Sequence, residues 1–128
     1  MNNIFKAIGD KNRLKILCLL SLHELCVCEI EVLLELSQSN VSRHLAKLRS
    51  ENIISGDKDA QWTHYKISED FKIENEFLYK YLINEFYSLK EYKEIIKRCE
   101  IYKKSQYDCH TIRTDMQLVL KFLENKKE

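Results

Sequence analysis

The sequence has no proline and only two glycines, so it has few of the residues that punctuate turn-rich folds. It also has no long apolar run, because the most hydrophobic stretch, residues 14–22, contains Lys15 and is about half the length of a membrane-spanning helix. Neither sign of charge dominates, since 21 Lys and Arg stand against 20 Asp and Glu. We therefore expect one mostly helical globular domain in the cytoplasm, with no membrane partner.

Five cysteines are the chemically distinctive residues of the chain. In a reducing compartment, thiols are more often ligands or redox sensors than structural disulfides. Cys26 and Cys28 lie one residue apart between carboxylates, in residues 24–30 (ELCVCEI). Soft-metal or redox chemistry explains this pair better than packing does. Cys18 and Cys99 fall on apolar helical stripes, so we expect them to be buried packing residues.

The first half of the chain has the apolar spacing of four helices. Residues 2–8 predict a short helix that ends at Gly9 in left-handed geometry. Asp10 can cap the second helix, residues 26–36 predict the third, and Ser37 can cap the fourth. The third and fourth helices are separated by a tight turn, which predicts a helix-turn-helix arrangement.

The fourth predicted helix has one apolar face and one polar face. Val41, Leu45 and Leu48 recur at helical spacing, and residues 38–50 contain no acid. Hydroxyl and amide groups at the helix start, followed by cations, suit a helix that reads a DNA major groove; the alternative is an ordinary solvated face. The candidate DNA-contacting residues of this helix are Gln38, Ser39, Asn40, Ser42, Arg43, His44, Lys47 and Arg49.

After residue 52 the periodicity changes to that of strands. Residues 53–55 and 62–67 predict two short strands joined by a polar loop, residues 56–61. A hairpin directly after a reading helix is a wing, so we expect Lys58 and His64 near the DNA backbone or minor groove. The predicted fold is mainly α with a two-stranded wing, a winged helix-turn-helix.

The C-terminal half predicts one long helix, capped by Asn75 and running to about residue 104. Its apolar stripe is wider than one small domain can cover, which predicts a twofold homodimer through the terminal helices. A polar break then holds Cys109, and Thr111 starts a last amphipathic helix. We expect residues 1–104 to form the DNA-binding and dimerisation domain, with residues 105–128 packed on it.

Four segments in this order resemble the ArsR/SmtB family of winged-helix repressors: residues 8–17, residues 24–30, residues 37–49 and the wing ending in Tyr65. The resemblance covers about residues 4–100. It implies a homodimeric repressor, not an enzyme, that binds an inverted repeat in double-stranded DNA. It also implies release from that operator when a metal or metalloid binds, with no organic cofactor.

The ELCVC motif is similar to that of family members that sense trivalent arsenic and antimony, and of others that sense cadmium and lead. The arsenic sensors often have a third cysteine where this chain has Glu31. The cadmium and lead sensors use further cysteines from an N-terminal extension, and no cysteine precedes Cys18 here. The zinc sensors use histidines of the long helix, and residues 75–107 contain none; Asp108 and His110 stay a minor alternative.

The predicted inducer is therefore As(III) or Sb(III) held by three thiolates. Cys26 and Cys28 supply two, and Cys109 is the first choice for the third, followed by Cys99 and Cys18, a partner subunit or a cellular thiol. Residues i and i+2 of a helix point about 200° apart, so we expect ligation to distort the first turn of the third helix. The helix N-terminus should lower the thiol pKa values, and the carboxylates of Glu24 and Glu29 should oppose this.

Other functions stay open at this point. The same repressor fold could serve a redox or persulfide sensor with a bridge between Cys28 and Cys109, a cadmium or lead sensor, or an interaction module without DNA. A thiol oxidoreductase is disfavoured because no strand precedes the cysteine pair. Motifs of other enzyme classes, such as a Gly-rich phosphate loop, do not occur.

Overall fold

The computed structural model describes residues 2–59 and 61–126, which form nine helices and one antiparallel hairpin. The elements in chain order are α1 (Asn2–Ile8), α2 (Lys11–Leu20), α3 (Val27–Leu34), α4 (Gln38–Ser50), β1 (Ile54–Asp59), β2 (Trp62–Ile67), α5 (Glu69–Glu74), α6 (Glu76–Ser88), α7 (Lys90–Lys104), α8 (Cys109–Thr114) and α9 (Met116–Lys126). Residues 1, 60, 127 and 128 belong to the predicted domain segments and lie outside the described residues.

The helix-turn-helix forms where the capping residues predict it. Asp10 accepts hydrogen bonds from two backbone N–H groups of α2, and the Ser37 hydroxyl accepts one from the N–H of Asn40 in α4. Between α3 and α4, Glu35 adopts a left-handed conformation with φ 55° and ends α3. Buried Val41, Leu45 and Leu48 fasten α4 to the core, and the wing follows it. The fold is the predicted winged helix-turn-helix.

Gly9 ends α1 for a reason other than the predicted left-handed geometry. No described glycine has a positive φ. A Cβ atom at Gly9 would lie 2.9 Å from the carbonyl oxygen of Phe5, so a larger residue would collide with the backbone of α1. The glycine is required by close approach of the chain rather than by its φ angle.

The wing is longer than the sequence predicts. β1 and β2 pair from Ile54 with Ile67 to Asp59 with Trp62, so Lys58 lies on a strand and not in a loop. A Cβ atom at Gly56 would lie 3.0 Å from the Tyr65 ring, which shows that this ring crosses the facing strand closely. Cross-strand pairing continues into the polar segment because the antiparallel ladder satisfies its backbone groups.

The single long helix predicted over residues 75–104 is wrong, because the chain breaks at Leu89 into α6 and α7. Leu89 has extended geometry (φ −88°, ψ 136°), and the rings of Phe86 and Tyr92 pack 5.1 Å apart across the break. A straight helix of that length would extend about 43 Å and carry its second half away from the core. The break instead lets α7 pack on α2 and α3.

The C-terminal segment also differs from its prediction. The last helix does not begin at Thr111; α8 begins at Cys109, and Asp115 separates it from α9. α8 packs on α3, and α9 packs on α7 and α3, with Ile112, Val119 and Leu123 buried. Among the described residues, no helix combines the length and the hydropathy that crossing a bilayer would take.

Candidate thiolate site and nucleic-acid interface

Three buried cysteine sulfurs meet between α3 and α8. Cys26 is the residue before α3, Cys28 lies in the first turn of α3, and Cys109 begins α8. The three Sγ atoms lie within 4.8 Å of one another, and those of Cys26 and Cys28 are 3.4 Å apart. Residues 2–59 and 61–126 hold no second comparable group of His, Cys, Asp or Glu ligand atoms. The structure thus brings together the pair and the first-choice third cysteine.

The expected distortion of α3 is not needed. Cys26 is the N-cap, with extended geometry (φ −96°, ψ 169°), and only Cys28 is inside the helix. The 200° rule applies to two residues of the same helix, so it does not separate these two side chains. Both sulfurs therefore face Cys109 while α3 keeps a regular first turn.

The sulfurs of Cys26 and Cys109 are joined as a disulfide, and Cys28 is a free thiol 3.9 Å from the carbonyl oxygen of Cys109. The redox alternative predicts a bridge between Cys28 and Cys109. That prediction is wrong, because Cys109 is joined to Cys26 instead. The Cα atoms of Cys26 and Cys109 are 7.3 Å apart. Most disulfides have Cα separations of roughly 4.4–6.8 Å, so this backbone spacing is wide for a structural bridge.

The pKa of Cys28 does not move in the predicted direction. Burial raises the pKa of the Cys28 thiol to about 11, and the carboxylate of Glu29 adds to this, while the Arg113 guanidinium acts against it. Loss of water around the thiolate thus outweighs the helix N-terminus. Burial also raises the pKa of Cys18 to about 12 and that of Cys99 to about 11. Both lie outside the cluster, as expected for packing residues.

Glu29 is a buried carboxylate that contacts the cluster and a distant helix. Its Oε1 accepts a hydrogen bond from the backbone N–H of Cys26 at 3.0 Å and lies 3.3 Å from Cys26 Sγ. Its Oε2 accepts a hydrogen bond from the Tyr102 hydroxyl of α7. The pKa of Tyr102 is raised, mainly by burial and next by this hydrogen bond, so the phenol stays protonated and donates. One side chain therefore ties the start of α3 to the end of α7.

Glu31 occupies the position where the arsenic sensors that this chain resembles often have a third cysteine. Its side chain is buried, and burial raises its pKa while the nearby Arg113 guanidinium opposes that shift. Asp108 and His110 belong to no group of three or more possible metal ligands within residues 2–59 and 61–126. The Asp108 carboxylate accepts from the N–H and the hydroxyl of Thr111, which lowers its pKa and caps α8.

The outward face of α4 is exposed and carries hydroxyl, amide and cationic groups. Arg43 donates a hydrogen bond to Asn40 Oδ1 at 3.0 Å, which orders the middle of this face. On the wing, Lys58 is exposed and His64 is half-buried. The predicted DNA-contacting residues that are exposed on α4 are Gln38, Ser39, Asn40, Ser42, Arg43, Lys47 and Arg49.

His44 does not lie on that face, contrary to its prediction. Its side chain is only 3% exposed, and its Nδ1 lies 3.2 Å from a guanidinium nitrogen of Arg13 in α2. Because arginine only donates, Nδ1 is the acceptor and the neutral ring carries its proton on Nε2. Burial lowers the pKa of His44, and Asp10 partly opposes this. His44 therefore fastens α4 to the core and cannot reach a base edge.

The sequence predicts Glu29 only as a charge that opposes a lowered thiol pKa, and it does not predict that Tyr102 or Arg113 lies near the cluster. Glu29 had a local signal, since it stands three residues after the Cys26 N-cap, the position whose carboxylate closes a capping box. Tyr102 and Arg113 are more than seventy positions away in the chain from Glu29 and Cys26, respectively. No periodicity reports contacts over such distances.

A chain with this fold and this exposed reading helix has the architecture of a winged-helix DNA-binding regulator. Residues 10–55 match the family described as bacterial regulatory protein, arsR family. The solved structure of reduced HlyU from Vibrio cholerae is 40% identical, with a TM-score of 0.53, over 61% of this chain and 83% of that one. The chain therefore belongs to the arsR family. The family match includes Cys26 and Cys28 and ends before Cys109.

Two relatives carry names that mention resistance to a toxic element. The arsenical resistance operon repressor of Escherichia coli is 46% identical over 66 residues, which are 51% of this chain and 56% of that repressor. The cadmium resistance regulator CadC of Listeria innocua is 36% identical over 76 residues, which are 59% of this chain and 63% of CadC. In both relatives the match thus covers less than two thirds of the protein.

Proposed function

We propose that this protein is a metalloid-responsive transcriptional repressor. In its reduced form it binds an inverted-repeat operator, and it leaves the DNA when As(III) or Sb(III) binds Cys26, Cys28 and Cys109. The observation that carries the proposal is the convergence of three buried sulfurs within 4.8 Å of one another, in a fold that also has an exposed basic reading helix. The similarity to the arsenical resistance repressor of Escherichia coli supports the same class of inducer.

The donor set fits a trivalent, thiophilic ion. Soft thiolates select soft ions, and three sulfurs satisfy trivalent arsenic, whereas zinc and similar divalent ions are usually held by four ligands. Ligand exchange would turn three thiols and arsenous acid into three S–As bonds and three waters. The Cys26–Cys109 disulfide must first be opened, which takes two electrons from a cellular or added thiol that is itself oxidised to a disulfide.

The test uses the reduced full chain and a duplex selected by that protein from a randomised DNA library. We expect arsenite to bind at one per chain and to release the duplex from the wild type. Cys109→Ser should still bind the duplex and should lose the arsenite response, while the buried packing variant Cys18→Ala should keep both. Arsenite release that is unchanged in Cys109→Ser would contradict the proposed ligand set.

A homodimer is part of the proposal, since inverted repeats are read by twofold pairs. Apolar side chains around α6 are unusually exposed: Phe77 is 84% exposed, Ile73 73% and Tyr81 60%. A monomer rarely leaves such side chains together in water, so a second copy is their proposed cover. Phe77→Glu should shift the protein from dimer to monomer in sedimentation velocity, whereas Lys121→Glu on α9 should not.

A redox-sensing repressor is the second candidate, because the structure contains a Cys26–Cys109 disulfide. Oxidation would then release the DNA and arsenite would not. A cadmium sensor is the third candidate, supported by the similarity to CadC. Titrating the same DNA complex with arsenite, cadmium and a disulfide oxidant separates the three, and release by arsenite at the lowest concentration is the outcome we expect.

A further inference from the structure

The geometry points to Arg113 as the residue that couples the thiolate site to the wing. This role of Arg113 extends the proposed function and rests on it: arsenite binding at Cys109 would alter DNA binding through the contact between Arg113 and Trp62. The sequence predicts that ligation distorts the first turn of α3, the helix before the reading helix. The structure also contains a route through α8.

α8 carries both ends of this route. Cys109 is its first residue, and Arg113 follows four positions later, so both side chains are on one side of the helix. The Arg113 guanidinium carbon lies 5.5 Å from the centre of the Trp62 ring, within the range of a cation–π contact. Trp62 is the first residue of β2 in the wing. A shift of α8 at Cys109 therefore also moves the cation under Trp62.

The other side of the thiolate site is attached to the same strand. Leu25, next to Cys26, donates its N–H to the carbonyl of Tyr65 at 3.1 Å and accepts from the Tyr65 N–H at 2.8 Å. The chain segments on the two sides of the cluster thus both hold β2, one through backbone bonds and one through Arg113. Drawing Cys26, Cys28 and Cys109 together, or releasing them, changes the spacing between these two attachments.

This arrangement also assigns a role to the C-terminal segment. α8 packs on α3 and lies outside the matched family residues 10–55. The Arg113 guanidinium also acts against the raised pKa values of Cys28 and Glu31, so its charge is felt at the thiolate cluster as well as at the Trp62 ring. If α8 supplied only a ligand, Cys109 would be sufficient. Because Arg113 of the same helix contacts Trp62, α8 also connects the thiolate cluster to the wing.

The test compares coupling, not binding alone. Reduced wild type, Arg113→Ala and Lys121→Ala are titrated with arsenite, with loss of free thiols giving the stoichiometry. Affinity for the selected duplex is measured with and without arsenite, and the ratio of the two dissociation constants is the coupling factor. We expect a wild-type ratio of about 5 to 150. Arg113→Ala should bind one arsenite per chain and lower the ratio by about two- to fivefold.

Trp62 is the single tryptophan of the chain and supplies an independent readout. Arsenite should change its emission in wild type and in Lys121→Ala, and much less in Arg113→Ala. Arg113→Lys and Trp62→Phe keep a cation and a ring, so each should retain most of the wild-type ratio, whereas Trp62→Ala should match Arg113→Ala. Far-ultraviolet circular dichroism checks that each variant is folded.

The outcomes separate the inference from the function on which it rests. A wild-type ratio in Arg113→Ala and in Trp62→Ala, with normal arsenite binding, overturns the role of Arg113 and leaves the proposed function intact. Wild-type protein that binds no arsenite, or stays on DNA when it does, overturns the proposed function and this inference together.

Discussion

The exposed face of α4 and the thiolate cluster differ in how they are built. The α4 face comes from one continuous segment of thirteen residues, and its functional side chains point into solvent. The cluster joins Cys26 and Cys109, which are 83 positions apart, and all three sulfurs are buried. The α4 face therefore depends on one helix, whereas the cluster depends on the packing of α3 against α8.

This difference separates the two functions that a regulator needs. A face on one helix can bind DNA without a change elsewhere in the chain. A buried cluster between α3 and α8 responds to a ligand only if the packing of the two helices changes with it. We expect such a change to leave the cluster through two contacts, Glu29 with Tyr102 of α7 and Arg113 with Trp62 of the wing. Mutations should therefore affect one region without the other.

The largest separate effect is expected from Cys28→Ser. Loss of one of three sulfur ligands should weaken arsenite binding by more than about 100-fold, because losing even an outer partner of a ligand costs 10- to 100-fold. Affinity of the reduced protein for the selected duplex should stay at the wild-type value. Competition for arsenite with a dithiol measures the first quantity and fluorescence anisotropy the second. A parallel loss of DNA binding would contradict the separation of the two regions.

Tyr102→Phe tests the connection between the cluster and α7. The change removes one hydrogen bond from the buried Glu29 carboxylate, so we expect the free energy of unfolding to fall by about 1–3 kcal/mol. Urea unfolding of the reduced protein gives the value. Tyr107→Phe keeps its ring against Phe122 and serves as the control, with little expected change. Equal losses in both variants would remove the special role of Glu29.

Arg43→Ala tests the α4 face in isolation. Removing one phosphate-contacting cation should weaken binding to all duplexes by a similar factor and reduce the slope of log affinity against log salt by about 1. Arsenite stoichiometry should not change. Lys121→Ala removes the same charge from exposed α9 and should leave the slope unchanged. A normal slope in Arg43→Ala would place the DNA elsewhere on the protein.

The smallest expected effect is a pH dependence from His44. Burial lowers its folded pKa below the ordinary value of 6.5, so the unfolded chain binds the proton more readily. Its contribution to stability is complete above pH 6.5 and is lost as the pH falls through the folded pKa. Urea unfolding from about pH 8 to about pH 5, with His44→Gln as the reference, isolates the contribution of His44 to the free energy of unfolding. A wild-type profile in His44→Gln would contradict it.

Much of the winged-helix half could be predicted because its signals are local. Asp10 and Ser37 cap the helices assigned to them, and Val41, Leu45 and Leu48 are buried as their spacing predicts. Helical spacing predicts His44 at the edge of the DNA face, because its angle on the helix is intermediate. Its burial depends on Arg13 of another helix, which the pattern of α4 does not contain.

The C-terminal half is harder to predict from sequence, because the bounds of its helices depend on what those helices pack against. An apolar stripe continues through Leu89, so periodicity predicts one helix, and only the packing of α7 on α2 and α3 requires the break. Cys109 reaches Cys26 because α8 packs on α3, a contact that no local pattern reports. The sequence favours Cys109 as the third ligand because it lies on a connector outside the apolar stripes, and its place in the ligand set stays a prediction.

The helix-turn-helix, the wing and the neighbouring cysteine pair follow from the sequence alone, because caps, periodicity and adjacent thiols are properties of short segments. The tertiary structure adds that Cys26 precedes its helix and faces Cys28, that Cys109 meets them, and that Arg113 reaches Trp62. These are contacts between segments far apart in the chain. Their formation is governed by the burial of shared apolar surface, which fixes where whole helices lie and so which side chains meet.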